Sequence, residues 1–325
     1  MDQPKQPLLT AEQDAFLRGR SNGVGFYLVL HAWVVIGLAM ALFVAWPNPL
    51  SFVVAIVLIG GRQLGLAILM HDAAHRALFK NTWLNDFVGA YFCGFPVGAS
   101  LALYRPYHLS HHRHTQQPED PDLILSAPFP ITKTSFKRKM WRDILGMTGY
   151  QRRLEQFKFT MGKDPSWARR LAKLAAHEKY FIASNAAVLL VLSIAGVWWA
   201  YFVLWLLPLM TWYQVISRIR NIAEHAVVGD NNDRLRNTRT TLTNGIMRMV
   251  LAPYWVNYHL EHHLFVYTPC WKLPAAHKIL IEQGFGPRME LSQGYLPVLR
   301  KATAKDPSSP DASGRSGRRA SASMI

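Results

Sequence analysis

Ten of the thirteen histidines in this 325-residue chain fall into four tight groups whose spacing suits metal ligation. The groups read HDAAH with His71 and His75, HLSHHRH with His108, His111, His112 and His114, NIAEH with Asn221 and His225, and HLEHH with His259, His262 and His263. Imidazoles at i, i+3 and i+4 project from one face of a helix, so one helix can offer two or three nitrogens to one ion. His114 lies one residue past its group and off that face, and is set aside as a non-ligand. A single ion takes at most about six donors, and tetrahedral zinc about four, so the nine remaining histidines suit two neighbouring ions. An all-nitrogen set favours iron, copper or zinc over magnesium or calcium. The two cysteines, Cys93 and Cys270, cannot build a disulfide framework and read as buried and reduced.

Carboxylates stand inside or beside these groups. A ligating histidine usually gives its other N–H to a carboxylate or a carbonyl, which nominates Asp72, Glu224 and Glu261 as supports for the ligands. Glu224 has a plainer alternative, a pair with Arg220 one helical turn earlier. Asp120 and Asp122, in PEDPD, either cap a turn or accept from a ligand histidine. The remaining histidines read as ordinary: His31 as a core or interface residue, His177 and His277 as surface groups. Arg62 sits inside an apolar stretch about nine residues before His71, where a cation must face protein, water or headgroup. It either lines a substrate passage or makes a structural pair.

The three boxes in this order resemble the membrane-bound fatty acid desaturase and hydroxylase superfamily, the integral-membrane histidine-box di-iron enzymes. The matching residues are His71/His75, His108/His111/His112 and His259/His262/His263, and the likeness covers about residues 25–274. The resemblance implies that His225 is a further ligand and that Asn221, one turn earlier, holds a metal-bound water. It implies two iron ions, dioxygen as co-substrate, and an oxidant able to abstract hydrogen from an unactivated alkyl chain, chemistry that acid–base groups alone do not supply. There is no His-Pro-Gly-Gly segment of the cytochrome b5 kind, so electrons are expected from a separate protein, a ferredoxin or a cytochrome b5-like carrier. Members acting near a carboxyl end often carry Gln as the first residue of the last box. His259 stands there in this chain, and the run RNIAEH followed by NTRTT looks closer to bacterial acyl-lipid desaturases. That likeness implies a bacterial inner membrane and a double bond placed in the fatty acyl chain of a lipid. The alternative is hydroxylation or ketolation of a carotenoid, sphingolipid or other lipid.

Long apolar stretches must position the boxes. Residues 25–46 are nearly all apolar and end at Pro47-Asn48-Pro49, and residues 50–70 form a second such stretch running straight into His71. Each has about the twenty residues that a bilayer core requires. Residues 180–217 contain no Asp, Glu, Lys or Arg and are too long for one crossing, so they read as two spans turning near residues 196–201. Residues 87–103 are apolar but broken by Gly89, Gly94, Pro96 and Gly98. If that stretch crossed fully, His108 would face the side opposite His71. It is therefore expected to re-enter or to lie at the interface. The expected fold class is all-α and integral-membrane: four transmembrane helices, a re-entrant segment, and a helical cap holding a di-metal site.

Charge supports this orientation. The two short outer turns carry no Lys or Arg, whereas residues 105–179 are dense in both, which places that loop, the histidines and both termini in the cytoplasm. The basic loop reads either as a surface facing water and headgroups or as a dock for an acidic electron carrier. The formal net charge of +16 would suit a nucleic-acid binder, but not alongside these apolar stretches. No secretory signal peptide is expected. The chain divides into an N-terminal cytoplasmic segment, 1–24, the membrane domain with its cap, 25–300, and a tail, 301–325, expected to be disordered from its Ser, Ala, Lys, Arg and Gly content.

Overall fold

The computed structural model describes residues 7–306, so the rest of the expected tail, from 307 onward, lies outside the described residues. Helix α1 (Ala11–Leu17) opens on a capping box between Thr10 and Gln13. Helices α2 (Asn22–Ala45) and α3 (Pro49–Ala74) form an antiparallel hairpin. Its turn is set by residues that end one helix and start the next. Asn48 Oδ1 accepts from the backbone N–H of Leu50 and Ser51, Ser51 Oγ accepts from the N–H of Asn48, and Pro49 takes the first helical position. The two helices play different parts. Every residue of α3 from Ile59 to Ala74 is buried, whereas α2 leaves Tyr27, Leu30 and Leu38 exposed, as lipid contact requires.

After α3 the chain doubles back through α4 (Thr82–Val88), a π-helical turn (Gly89–Gly94) and a 3-10 turn (Phe95–Val97). It breaks at Gly98, with φ +83°, and continues as α5 (Leu101–His114). The two arms meet at 93°. Close packing on α3 needs Gly89, where an added Cβ would lie 2.4 Å from Ala73 Cβ. A cap follows: α6 (Leu123–Ser126), α7 (Lys133–Ile144) and α8 (Met147–Met161). Helix α9 (Trp167–Ile194) leads to a tight turn at Gly196, φ +75°, then a π-helical turn (Tyr201–Leu206), α10 (Leu207–Met210) and α11 (Trp212–His225). The last third carries short elements: β1 (Thr240–Leu242), α12 (Gly245–Val250), α13 (His259–Leu264), α14 (Leu273–Glu282), β2 (Leu291–Gln293) and α15 (Tyr295–Ala302). β1 and β2 pair in parallel, Thr240 opposite Leu291.

The span count differs from the expected four. Among the described residues, three stretches are long and apolar enough to cross a bilayer, Asn22–Ala45, Pro49–Ala74 and Tyr201–His225, and the bent pair Thr82–Val97 with Leu101–His114 makes a fourth only if counted as one broken span. The expected third span is the second half of α9. Its first half carries Arg169, Arg170, Lys173, Glu178 and Lys179, leaving roughly 22 Å of uncharged helix against a core of about 30 Å. The turn expected near residues 196–201 falls at Gly196. Lys301 and Ala302, the first residues of the expected tail, close α15, and Ala302 is fully buried.

Candidate metal centre

The C-terminal ends of α3 and α11, the second half of α5, and α13 converge at one end of the helical bundle. Each is a helix terminus or a short helix, and each presents histidines inward. Nine of them resolve into two groups. His71, His75, His108, His112 and His262 form one, and His111, His225, His259 and His263 form the other, with the ligand nitrogens inside each group all within 4.8 Å of one another. The split explains the HxxHH spacing. In α5 the i, i+4 pair His108/His112 serves the first group and His111 the second. In α13 the pair His259/His263 serves the second group and His262 the first. Each of these two helices therefore contributes to both groups. His71 and His75, from α3, belong only to the first group, and His225, from α11, only to the second.

The nitrogen positions fit metal ions. His112 Nε2 lies 2.9 Å from both His108 Nε2 and His262 Nε2, and His259 Nε2 lies 2.8 Å from His225 Nε2 and 3.1 Å from His263 Nε2. Two nitrogens about 2.1 Å from one ion are about 3.0 Å apart at adjacent octahedral positions and about 3.4 Å apart on a tetrahedron. The observed pairs match the octahedral value. One proton cannot serve three converging nitrogens, and both ring nitrogens of His71 and of His75 are buried without a hydrogen-bond partner. Orphaned buried acceptors on this scale are satisfied by a cation. On α13, burial holds the His259, His262 and His263 imidazoles well below their ordinary pKa, reinforced by neighbouring imidazoles, so they are neutral donors as metal binding requires.

Supporting contacts orient several rings. His111 Nδ1–H donates to Asp120 Oδ1 at 2.7 Å, while Asp120 also accepts from the backbone N–H of Gln116 and Asp122. Asp120 is thus both turn former and ligand support. Asp122 accepts from Tyr107 instead. His263 Nδ1 lies 3.1 Å from Thr115 Oγ1, which itself donates to the His111 carbonyl. These contacts leave Nε2 of His111 and His263 for an ion. Asp72 Oδ1 is 3.6 Å from His71 Nδ1, and its other oxygen accepts from the Cys270 N–H. Glu224 Oε2 stands 3.6 Å from His259 Nε2 and 3.5 Å from Arg220, so it faces both suggested partners.

Other placements depart from the sequence reading. Glu261 does not reach a ligand ring. Its oxygens accept from His277 Nδ1, at 2.6 Å, and from Thr240 Oγ1, so it braces α13 from behind. His277 is accordingly no surface group, its side chain being only 15% exposed. A histidine on α14 gives no sequence sign that it will meet a carboxylate sixteen residues away. Arg239 was likewise invisible as a brace. Its guanidinium donates to the carbonyls of Ala223, Ala226 and Val227 and pairs with Glu290, closing the end of α11 directly behind His225. His114 bonds back to Ser110 and belongs to neither group. His31 meets Tyr254 Oη at 3.1 Å, as a satisfied core residue should. Arg62 is buried, donates to the Met249 carbonyl and stacks on Tyr254. Asn221 lies one turn before His225 and borders a cavity with Tyr104 and Arg220.

Comparison with known proteins agrees with this geometry. The model for the fatty acid desaturase family matches residues 45–291. Dihydrorhizobitoxine desaturase of Bradyrhizobium elkanii is 29% identical over 263 residues, 77% of this chain and 72% of that protein. An sn-1 oleoyl-lipid 12-desaturase of Synechocystis sp. is 24% identical over 86% of this chain and 81% of its own length. A beta-carotene ketolase of Paracoccus sp. is 24% identical over 78% and 88%.

Proposed function

The chain belongs to the fatty acid desaturase family, whose members matched above are oxygen-dependent oxidoreductases, and on that premise we propose that it is an integral-membrane di-iron desaturase acting on a fatty acyl chain of a lipid. The observation that carries the reading is the interleaving of nine inward-facing histidines into two groups that share α5 and α13. Two ions held there would sit side by side, as cooperative work on one oxygen molecule requires.

Bound in these groups, two irons would supply the one-electron and oxygen chemistry that side chains cannot. The chain's own residues set the conditions. His71, His75, His108, His112 and His262 hold one ion, and His111, His225, His259 and His263 the other. Asp120 and Thr115 hold the rings of His111 and His263 in one orientation. Burial of eight of them, with His112 half-buried, keeps bulk water from the site. Asn221 stands at the cavity wall, where its amide can hold a water next to the second group. Arg62 remains a candidate for the lining of the substrate passage. Electrons come from a separate ferredoxin or cytochrome b5-like protein, with the basic cap its docking face. The histidine end and both termini lie in the cytoplasm, at a bacterial inner membrane.

Expression in a host that lacks the enzyme, followed by mass spectrometry of total lipids, tests the reaction. Desaturation gives an acyl product lighter than its precursor by two hydrogens. The likeness to a beta-carotene ketolase over most of both chains favours one rival, oxidation of a carotenoid. That rival gives an oxygenated pigment with unchanged fatty acids.

A further inference from the structure

One face of α11 runs past two cavities on its way to the metal ligands. The outer cavity, about 90 Å³, lies beside the bend at Gly98 and is walled by Val97, Phe159 and Leu209 but also by Arg152, Arg153 and Glu155. The inner cavity, about 180 Å³, carries the larger excess of positive charge. Four cations border it, Lys139, Arg152, Arg218 and Arg220, against one carboxylate, Asp122. Arg152 borders both cavities, donating to Gln214 at 3.1 Å. Gln214 faces the outer cavity, Ser217 and Asn221 the inner, and Glu224 and His225 the metal ligands. Steps of three and four put these residues on one ridge. Along it Gln214 is about 16 Å from His225, and Asn221 about 6 Å.

Part of this lining is already engaged. Asp122 accepts from Tyr107, and Arg218 is held by Asp143 at 2.5 and 2.9 Å. Part is not. Ser217 Oγ and Arg220 Nε are buried without a hydrogen-bond partner, while Arg220 Nη1 pairs with Glu224 at 3.5 Å and leaves the rest of its guanidinium for a ligand. A buried donor without an acceptor is costly, and a guanidinium is best matched by a carboxylate or phosphate.

We propose that the inner cavity receives an anionic group of the substrate, a carboxylate or phosphate on an aliphatic chain, held by Arg220 with Arg152 and Ser217. The chain extends toward the outer cavity. The charge then lies beside the metal centre, and the carbons that react are within a few bonds of it. This rests on the histidines being the oxidising centre.

The test uses iron-loaded, reduced full-length protein in detergent, with octanoate, octyl phosphate and methyl octanoate as probes. Octanoate or octyl phosphate is expected to bind about tenfold more tightly than the ester. Arg220→Gln should abolish that preference, and Arg220→Lys should keep most of it. Paramagnetic relaxation in 13C-labelled octanoate should be stronger at the carboxylate carbon than at the terminal methyl. Competition by phosphatidylglycerol nanodiscs assigns the anion to a lipid headgroup, and failure of that competition assigns it to a free acid. Equal binding of acid and ester, or stronger relaxation at the methyl end, overturns the proposal. If Arg220→Gln loses its iron, the wild-type acid–ester and relaxation comparisons decide alone. Failure of the di-iron reading would show separately, as absent iron, while the acid–ester preference could still be measured.

Discussion

At the scale of single residues, ligand and support have different signatures. The nine candidate ligand histidines announce themselves because metal geometry imposes a fixed spacing on a helix, and that spacing is printed in the sequence. His277 and Arg239 do not, because their partners come from distant elements. Removing them should nevertheless be felt. His277→Ala leaves Glu261 Oε1 buried with its partner gone, which costs about 1–3 kcal/mol. We expect a lower melting temperature and reduced iron retention, both partly restored in His277→Gln. An unchanged melting curve would remove the bracing role. Asn221→Ala is expected to keep most of its iron and lose much of its turnover, since a water would stand between the amide and the ion. Loss of iron as complete as in His225→Ala would make Asn221 a direct ligand.

At the scale of elements, the bent segment decides whether the boxes can meet. His75 and His108 belong to one ligand group, so the chain between them must leave and return on the same side of the helical bundle. The parity of the boxes and the run of Gly89, Gly94, Pro96 and Gly98 made this legible. The π-helical turn and the 93° angle were not, because they follow from packing on α3. Gly89→Val should overpack that contact and cost about 1–3 kcal/mol. Gly37, with nothing within 4 Å of an added Cβ, is the control. Gly37→Ala should be neutral or gain up to about 1 kcal/mol. Thermal unfolding of the two variants compares them directly. The second half of α9 marks the opposite case. Uncharged residues from Tyr180 onward suggested a full span, yet the helix begins thirteen residues earlier in charged sequence. Composition located the apolar part and could not say how the whole helix lies.

At the scale of the whole molecule, the ends of α3 and α11 meet α5 and α13 at one end of the bundle, and the charge pattern supports the proposed cytoplasmic orientation of that end. Cysteines introduced at Asn48 and Trp198 should label from outside, and one at Ser166 from inside. Labelling of Ser166→Cys from outside would break the shared side on which both ligand groups depend. The central claim is that the nine histidines hold two ions. Metal analysis of the purified, iron-reconstituted protein tests it most directly, alongside a variant with His259, His262 and His263 all changed to Ala. Because these three residues serve both groups, close to two irons per wild-type chain are expected, with loss of both iron and activity in the variant. One iron or fewer in the wild type, or a triple variant with full activity, would contradict it.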